Sequence, residues 1–305
     1  IYPIGQGVRQ ADVQRYLQET LDWLGTGKVT VAELIPADLA ADFNGLPSLA
    51  EALEQIHRPP ARADIAAILE GRAPACRRLI MEELTAHYLA IRQLNQRRRA
   101  QQAPRLLDTQ LADRLRNQLP FSLTGAQQRV SHEVSQDLRQ SHPALRLVQG
   151  DVGSGKTVIA ALAACQAAAG GFQSAILAPT ELLAEQHART LSQWLTPLGL
   201  EVIWLSGAVK GKARNQALAH IAAGAPVVVG THALIQSSVE FARLGLVVID
   251  EQHRFGVGQR LALRNKGSQA EYHPHQLMLT ATPIPRTLSM TLYAGIQISS
   301  IDQRP

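Results

Sequence analysis

The 305-residue sequence is poor in aromatic side chains, with Phe, Trp and Tyr together making up 4%. Any core it builds must come mainly from Ala, Leu, Val and Ile. Cysteine is nearly absent too. Cys76 and Cys165 fit no metal-ligand spacing and exclude a disulfide framework, which reads as two reduced thiols in a cytoplasmic protein. No apolar stretch reaches transmembrane length without a charge or a break, and the first residues lack the basic-then-apolar order of a secretory leader. No membrane partner is expected. There is no internal repeat and no low-complexity tract. An initiator Met is missing, and the sequence stops at Asp302-Gln303-Arg304-Pro305, so a piece of a longer protein is expected.

What is present is a globular composition, 46% hydrophobic and 18% charged. The net charge of +5 is compatible with a polyanionic partner but is weak evidence alone. Half of the 30 Lys and Arg precede residue 120, among them Arg77, Arg78, Arg92 and Arg97 to Arg99, though nearly as many Asp and Glu offset them there. Three adjacent arginines on a helix point in different directions, so a solvated face is the plainer reading and a duplex contact the sharper one.

Two regions differ in pattern. Residues 1–120 have helical periodicity at Asp12–Leu24, Ser48–Ile56, Asp64–Leu69 and Cys76–Gln101, with another short helix at Pro36–Ala41. Ser48 with Glu51 three residues on forms a capping box. Residues 121–305 alternate short apolar runs with helical segments. The runs are at Arg146, Ser174, Val202, Pro226, Leu246 and Gln276. Strands buried on both faces read as such continuous runs. The alternation predicts an α/β domain, a parallel sheet with helices on both faces, preceded by a mainly α-helical region.

Gly150-Asp151-Val152-Gly153-Ser154-Gly155-Lys156-Thr157 matches the full phosphate-loop pattern, with an apolar strand before it and a helix after it. Glycines let successive N–H groups turn toward phosphate oxygens, and the helix adds its positive end. Lys156 offers charge to the outer phosphates and Thr157 a hydroxyl to Mg²⁺. ATP with Mg²⁺ is the expected cofactor. Leu246-Val-Val-Ile-Asp250-Glu251 is a strand ending in two carboxylates. Asp250 can hold the ion, and Glu251 can act as general base on the attacking water. His253 is suited to sensing the terminal phosphate, or more plainly to a hydrogen bond at a helix start. His273 and His275 flank Pro274 without a carboxylate or thiol framework, so no metal site is expected there.

In this order the segments resemble the superfamily-2 helicases, first RecA-like motor domain. Pro120-Phe-Ser-Leu-Thr124-Gly-Ala-Gln127 resembles the upstream adenine-reading segment. The phosphate loop is similar to motif I, Ala178-Pro-Thr180-Glu181-Leu to motif Ia, and Gly230-Thr231-His-Ala-Leu to motif Ib. Asp250-Glu-Gln-His253 is similar to motif II and Thr280-Ala-Thr282 to motif III. Within that superfamily, Asp250 through Arg260 resembles the RecG branched-DNA translocases and the transcription-repair coupling translocases. His57-Arg-Pro-Pro60 and Arg77 through Leu84 are similar to the RecG branch alone.

The resemblance implies a P-loop RecA-like domain at 121–305, following a helical region at 1–120. It implies a monomeric, ATP-hydrolysing DNA helicase that remodels forks and four-way junctions in bacterial recombination and repair, in the cytoplasm at the nucleoid. Gln127 would contact adenine. Thr180, Glu181 and Thr231 would touch the DNA backbone, the two threonines having helix capping as their rival role. Thr280 and Thr282 would couple nucleotide state to DNA grip, the rival being a hydroxyl pair that satisfies a strand end. A second motor lobe with arginine fingers and a wedge domain belong to the family pattern, so the 305 residues alone are expected to be nearly inactive. A nucleotide-binding module without turnover is the rival from another class.

Overall fold

A computed structural model of the chain describes residues 5, 7–36, 45–251, 255, 258, 263, 266, 272–282 and 296–303. The expected helix at Pro36–Ala41 falls almost wholly outside them. Contacts divide the chain into two compact units, residues 1–90 and 91–305.

Among its described residues the first unit is helical, with α1 (Gln10–Gly25), α2 (Leu49–His57), α3 (Ile65–Leu69) and the start of α4 (Pro74–Arg99). The Ser48 capping box is present, Ser48 Oγ accepting from the Glu51 amide while Glu51 accepts from the Ser48 amide. Arg58, just past α2, donates to the Gln18 carbonyl and to Asp22 of α1. Arg78 is buried and paired to Glu33 at 2.6 Å and to Glu82. The Arg58–Asp22 and Arg78–Glu33 pairs join segments 36 and 45 residues apart in sequence.

In the second unit come α5 (Gln110–Gln118), α6 (Gly125–Leu138), β1 (Leu145–Gly150), α7 (Lys156–Ala169), β2 (Gln173–Leu177), α8 (Glu181–Leu195), β3 (Val202–Leu205), α9 (Gly211–Ala222), β4 (Val227–Gly230), β5 (Leu244–Asp250), β6 (His275–Thr280) and β7 (Gln297–Ile301). The seven strands are all parallel, in the order β3-β4-β2-β5-β6-β1-β7. Period-2 alternation sends Val148, Ile176, Val248 and Leu277 to one face, against α6, α7 and α8. Leu147, Leu177, Val247 and Met278 go to the other, with Ile221 of α9. Helix α7 is largely alanine and almost wholly buried, because small side chains let its backbone lie close to the sheet.

The division falls at 90/91, thirty residues before the expected 120/121. The reason is in residues 103–118. The Ala103 amide donates to the Ser141 carbonyl and that of Leu106 to Leu138, Gln166 of α7 donates to the Leu106 carbonyl, and Ala112 and Leu115 of α5 join the core beneath α7. A helical pattern cannot say which unit a helix packs on. β7 was not foreseen either. Gln297-Ile-Ser-Ser-Ile301 is an edge strand with two apolar residues, too few to read as a buried run.

Candidate nucleotide site and strand-binding rim

β5, β6 and β1 are neighbours, so their carboxyl ends bring together Asp250, Thr280 and Gly150. Ligands of open parallel sheets gather at such ends. The loop after β1 turns through Gly153 and Gly155, whose φ angles of +81° and +88° are left-handed. Gly150 has no room for a side chain, since a Cβ there would lie 2.6 Å from Ser154 Oγ. Lys156 opens α7, and its ammonium donates to the carbonyls of Gly150 (2.6 Å) and Asp151 (2.9 Å). Burial pulls the Lys156 pKa below its ordinary value, against the opposing pull of Asp250, Glu251 and Asp151. Thr157 is half-buried, while Asp151 and Val152 are exposed.

Gln127 is turned toward the phosphate loop. It is 1% exposed, its Oε1 accepts from the Thr124 amide (2.9 Å), and its Nε2 donates to the Ser154 carbonyl (2.8 Å). Thr124 Oγ accepts from the Gln127 amide in return, completing a capping box at the start of α6. The amide is engaged on both sides and braces the phosphate loop from behind, so closely that a Cβ on Gly155 would lie 2.3 Å from Nε2.

Asp250 is buried at the end of β5. Its Oδ1 accepts from the Glu251 amide (3.1 Å) and its Oδ2 lies 2.7 Å from His187 Nε2. Glu251 follows with φ +49°, the one described non-glycine residue in the left-handed region. Its Oε1 accepts from the Ala281 amide at 3.3 Å. Thr280 and Thr282 face each other, 2.8 Å between hydroxyl oxygens, and Thr280 Oγ also accepts from the Thr282 amide. The hydroxyl pair thus satisfies the end of β6, while the link to Glu251 runs through the backbone between them. His253 lies outside the described residues.

Of the expected strand contacts, Thr180 and Glu181 are exposed at the start of α8. Thr180 also caps that helix, accepting from the Leu183 amide at 3.3 Å. Glu181 accepts from the Ala208 amide and so holds the loop that carries exposed Lys210 and Lys212, two cations the motif reading did not single out. Thr231 differs from Thr180 and Glu181 in being 2% exposed with its hydroxyl buried. His187 was also missed. Its signal was available, because it stands three residues after Ala184 and one before Ala188, on the inward side of α8.

The donor set suits a nucleotide and a divalent ion. Ser154 Oγ is buried without a hydrogen-bond partner beside a glycine-lined curl at a helix start, a donor suited to an anion's oxygens. Among the described residues no three His, Cys, Asp or Glu side chains cluster as a metal cage. Mg²⁺ needs none, since it is held by one or two protein oxygens together with substrate phosphates. Thr157 and Asp250 are the oxygens to hand.

The profile of the DEAD/DEAH box helicases matches residues 124–291. The chain belongs to the DEAD/DEAH box helicase family. Along its whole length this helicase chain is 51% identical to the ATP-dependent DNA helicase RecG of Escherichia coli strain K12, covering 44% of that protein. It is 40% identical to the RecG of Streptococcus pneumoniae, with the same coverage. It superposes over its full length on the structure of RecG bound to a three-way DNA junction, with a TM-score of 0.74 and 33% identity, covering 39% of that chain. The helicase MrfA bound to DNA matches 67% of the chain at a TM-score of 0.51 and 19% identity, which shows a shared fold alone. The DEAD/DEAH box chain thus spans less than half the length of the curated relatives it matches. The resemblance to RecG and the RecA-like fold read from the motifs are borne out. No described helix is long and apolar enough to cross a membrane.

Proposed function

We propose that this chain is the ATP-binding motor lobe of a RecG-type helicase that remodels branched DNA in bacterial recombination and repair. The observation that carries the reading is the convergence at three adjacent strand ends of the glycine-lined loop with Lys156, the Asp250 carboxylate, and Glu251 held by the Ala281 amide. The junction-bound RecG structure supports branched DNA as the partner.

Bound Mg-ATP supplies the anhydride that breaks and the cation that offsets its charge. Lys156 offers its ammonium to the outer phosphates, and Thr157 and Asp250 are the oxygens that hold the ion. Glu251 takes the proton of the attacking water. Thr180 and Glu181, with Lys210 and Lys212 beside them, form the rim that meets the strand backbone, positioning it without reading sequence. The motor acts as a monomer at the nucleoid in the cytoplasm, and His253 senses the terminal phosphate.

A motor of this kind closes two lobes on its nucleotide, and an arginine from the opposing lobe contributes on the order of 10³–10⁵ in rate. The described residues of this chain hold one sheet, so its own turnover is low. The test is ATP hydrolysis by the 305-residue chain with and without a model fork, beside Lys156→Ala. Negligible turnover, with Mg-ATP binding that the variant loses, is expected. Robust fork-stimulated turnover would refute the single-lobe reading.

A further inference from the structure

Asp250 is held from two directions. Its Oδ1 takes the Glu251 amide, and its Oδ2 takes the His187 ring at 2.7 Å, both side chains almost buried at 14% and 12% exposure. A carboxylate accepts, so His187 Nε2 carries the hydrogen and donates it. The Glu251 bond is local to the strand end. The His187 bond comes from α8, whose first residues are the capping Thr180 and the exposed Glu181. Seven residues of one helix, about 10 Å of rise, therefore separate the strand-binding rim from the ion-binding carboxylate. Ala184, Ala188 and Leu191 bury the same side of α8, so the helix cannot turn about its axis without dragging the imidazole off Oδ2.

We propose that His187 is the positioning residue for the magnesium carboxylate, fixing the orientation of Asp250 and tying the ion site to the helix that begins at the strand rim. This rests on the reading of Asp250 as an ion ligand. Partners that orient a ligating carboxylate set metal affinity, and their loss costs about 10–100-fold. A plain staple between α8 and β5 would change stability and leave ion affinity alone.

The test uses the 305-residue chain and a fluorescent ATP analogue, titrated with MgCl₂ and separately in EDTA. For His187→Phe, which keeps a ring, the expected result is a Mg²⁺ half-saturation raised about tenfold or more, with nucleotide affinity in EDTA near the wild-type value. His187→Gln places an N–H at a similar reach and recovers most of the Mg²⁺ response. A His187→Phe titration that overlays the wild type overturns the proposal. So does a Gln variant no better than Phe when both lose binding equally with and without Mg²⁺. A wild-type chain whose binding ignores Mg²⁺ or survives Lys156→Ala overturns the site reading itself, a separate outcome from either.

Discussion

The Ala281 amide donates to Glu251 Oε1 at 3.3 Å, so the backbone after β6 holds the side chain that follows β5. Glu251 is also in the left-handed backbone region at φ +49°, a conformation that persists only where its surroundings enforce it. Glu251→Gln keeps an oxygen for the Ala281 amide and a similar shape, but it cannot take a proton. Nucleotide binding to this chain is expected to survive. Hydrolysis by the intact helicase is expected to fall about 10²–10⁴-fold. A nucleotide sensor that needs no turnover would lose nothing, so branch remodelling by the Gln variant at the wild-type rate would favour that rival.

Gln127 gives a second test, because its two engagements can be separated. Gln127→Glu preserves the capping box, for which Glu is as good a partner. It removes the N–H that reaches the Ser154 carbonyl and sets two acceptors against each other. An acceptor left unsatisfied costs about 1–3 kcal/mol, so affinity is expected to fall roughly tenfold for ATP and GTP alike. An adenine-reading amide would instead produce a loss confined to ATP, which competition binding with the two nucleotides would reveal.

Much of this architecture was legible in the residues because its signals are local. Six of seven strands are continuous apolar runs, and the phosphate loop announces itself by glycines followed by Lys156 and Thr157. Spatial neighbours were not legible. β7 pairs with β1 at a separation of 151 residues, Arg146 opposite Gln297, and carries too little apolar character to stand out. His187 meets Asp250 from 63 residues away. The burial of Thr231 and the inward amide of Gln127 are consequences of packing, which a motif pattern does not encode.

Arg146 ties the amino end of β1 to its neighbours. It sits in β1 and donates to Asp137 (2.6 Å) and Glu133 (3.0 Å) of α6, to Ser299 of β7 (2.6 Å), and to Gln297. Arg146→Met leaves the nearly buried Asp137 carboxylate without its countercharge, a loss of about 3–5 kcal/mol. For a domain of this size that lowers the Tm by on the order of 10 °C. Pairing Arg146→Met with Asp137→Leu is expected to restore most of the loss, because the cost lies in the stranded charge. Thermal unfolding of the two singles and the double closes the cycle, and additive losses would mean that the pair contributes nothing as a pair.

His275 makes the same unit sensitive to acid. Its ring is fully buried, donates from Nε2 to the Pro104 carbonyl at 2.7 Å and accepts at Nδ1 from the Ala144 amide at 3.2 Å, which fixes a neutral tautomer joining β6 to two other segments. Burial pushes its pKa below the ordinary 6.5, with His142 acting in the same direction and the Pro104 carbonyl and Asp137 opposing. The unfolded chain therefore takes up a proton near pH 6.5 while the folded chain does not. Below that pH the unfolded state binds more protons, so stability falls as pH falls, and above it this contribution is fully present. The expected result is a Tm that declines on acidification from about 6.5, toward the depressed folded value. His275→Gln can hold one of the two hydrogen bonds and should be less stable at pH 8. Its Tm should nonetheless decline less between pH 7 and pH 5.5, and a variant whose slope matches the wild type would show that other groups carry the acid response.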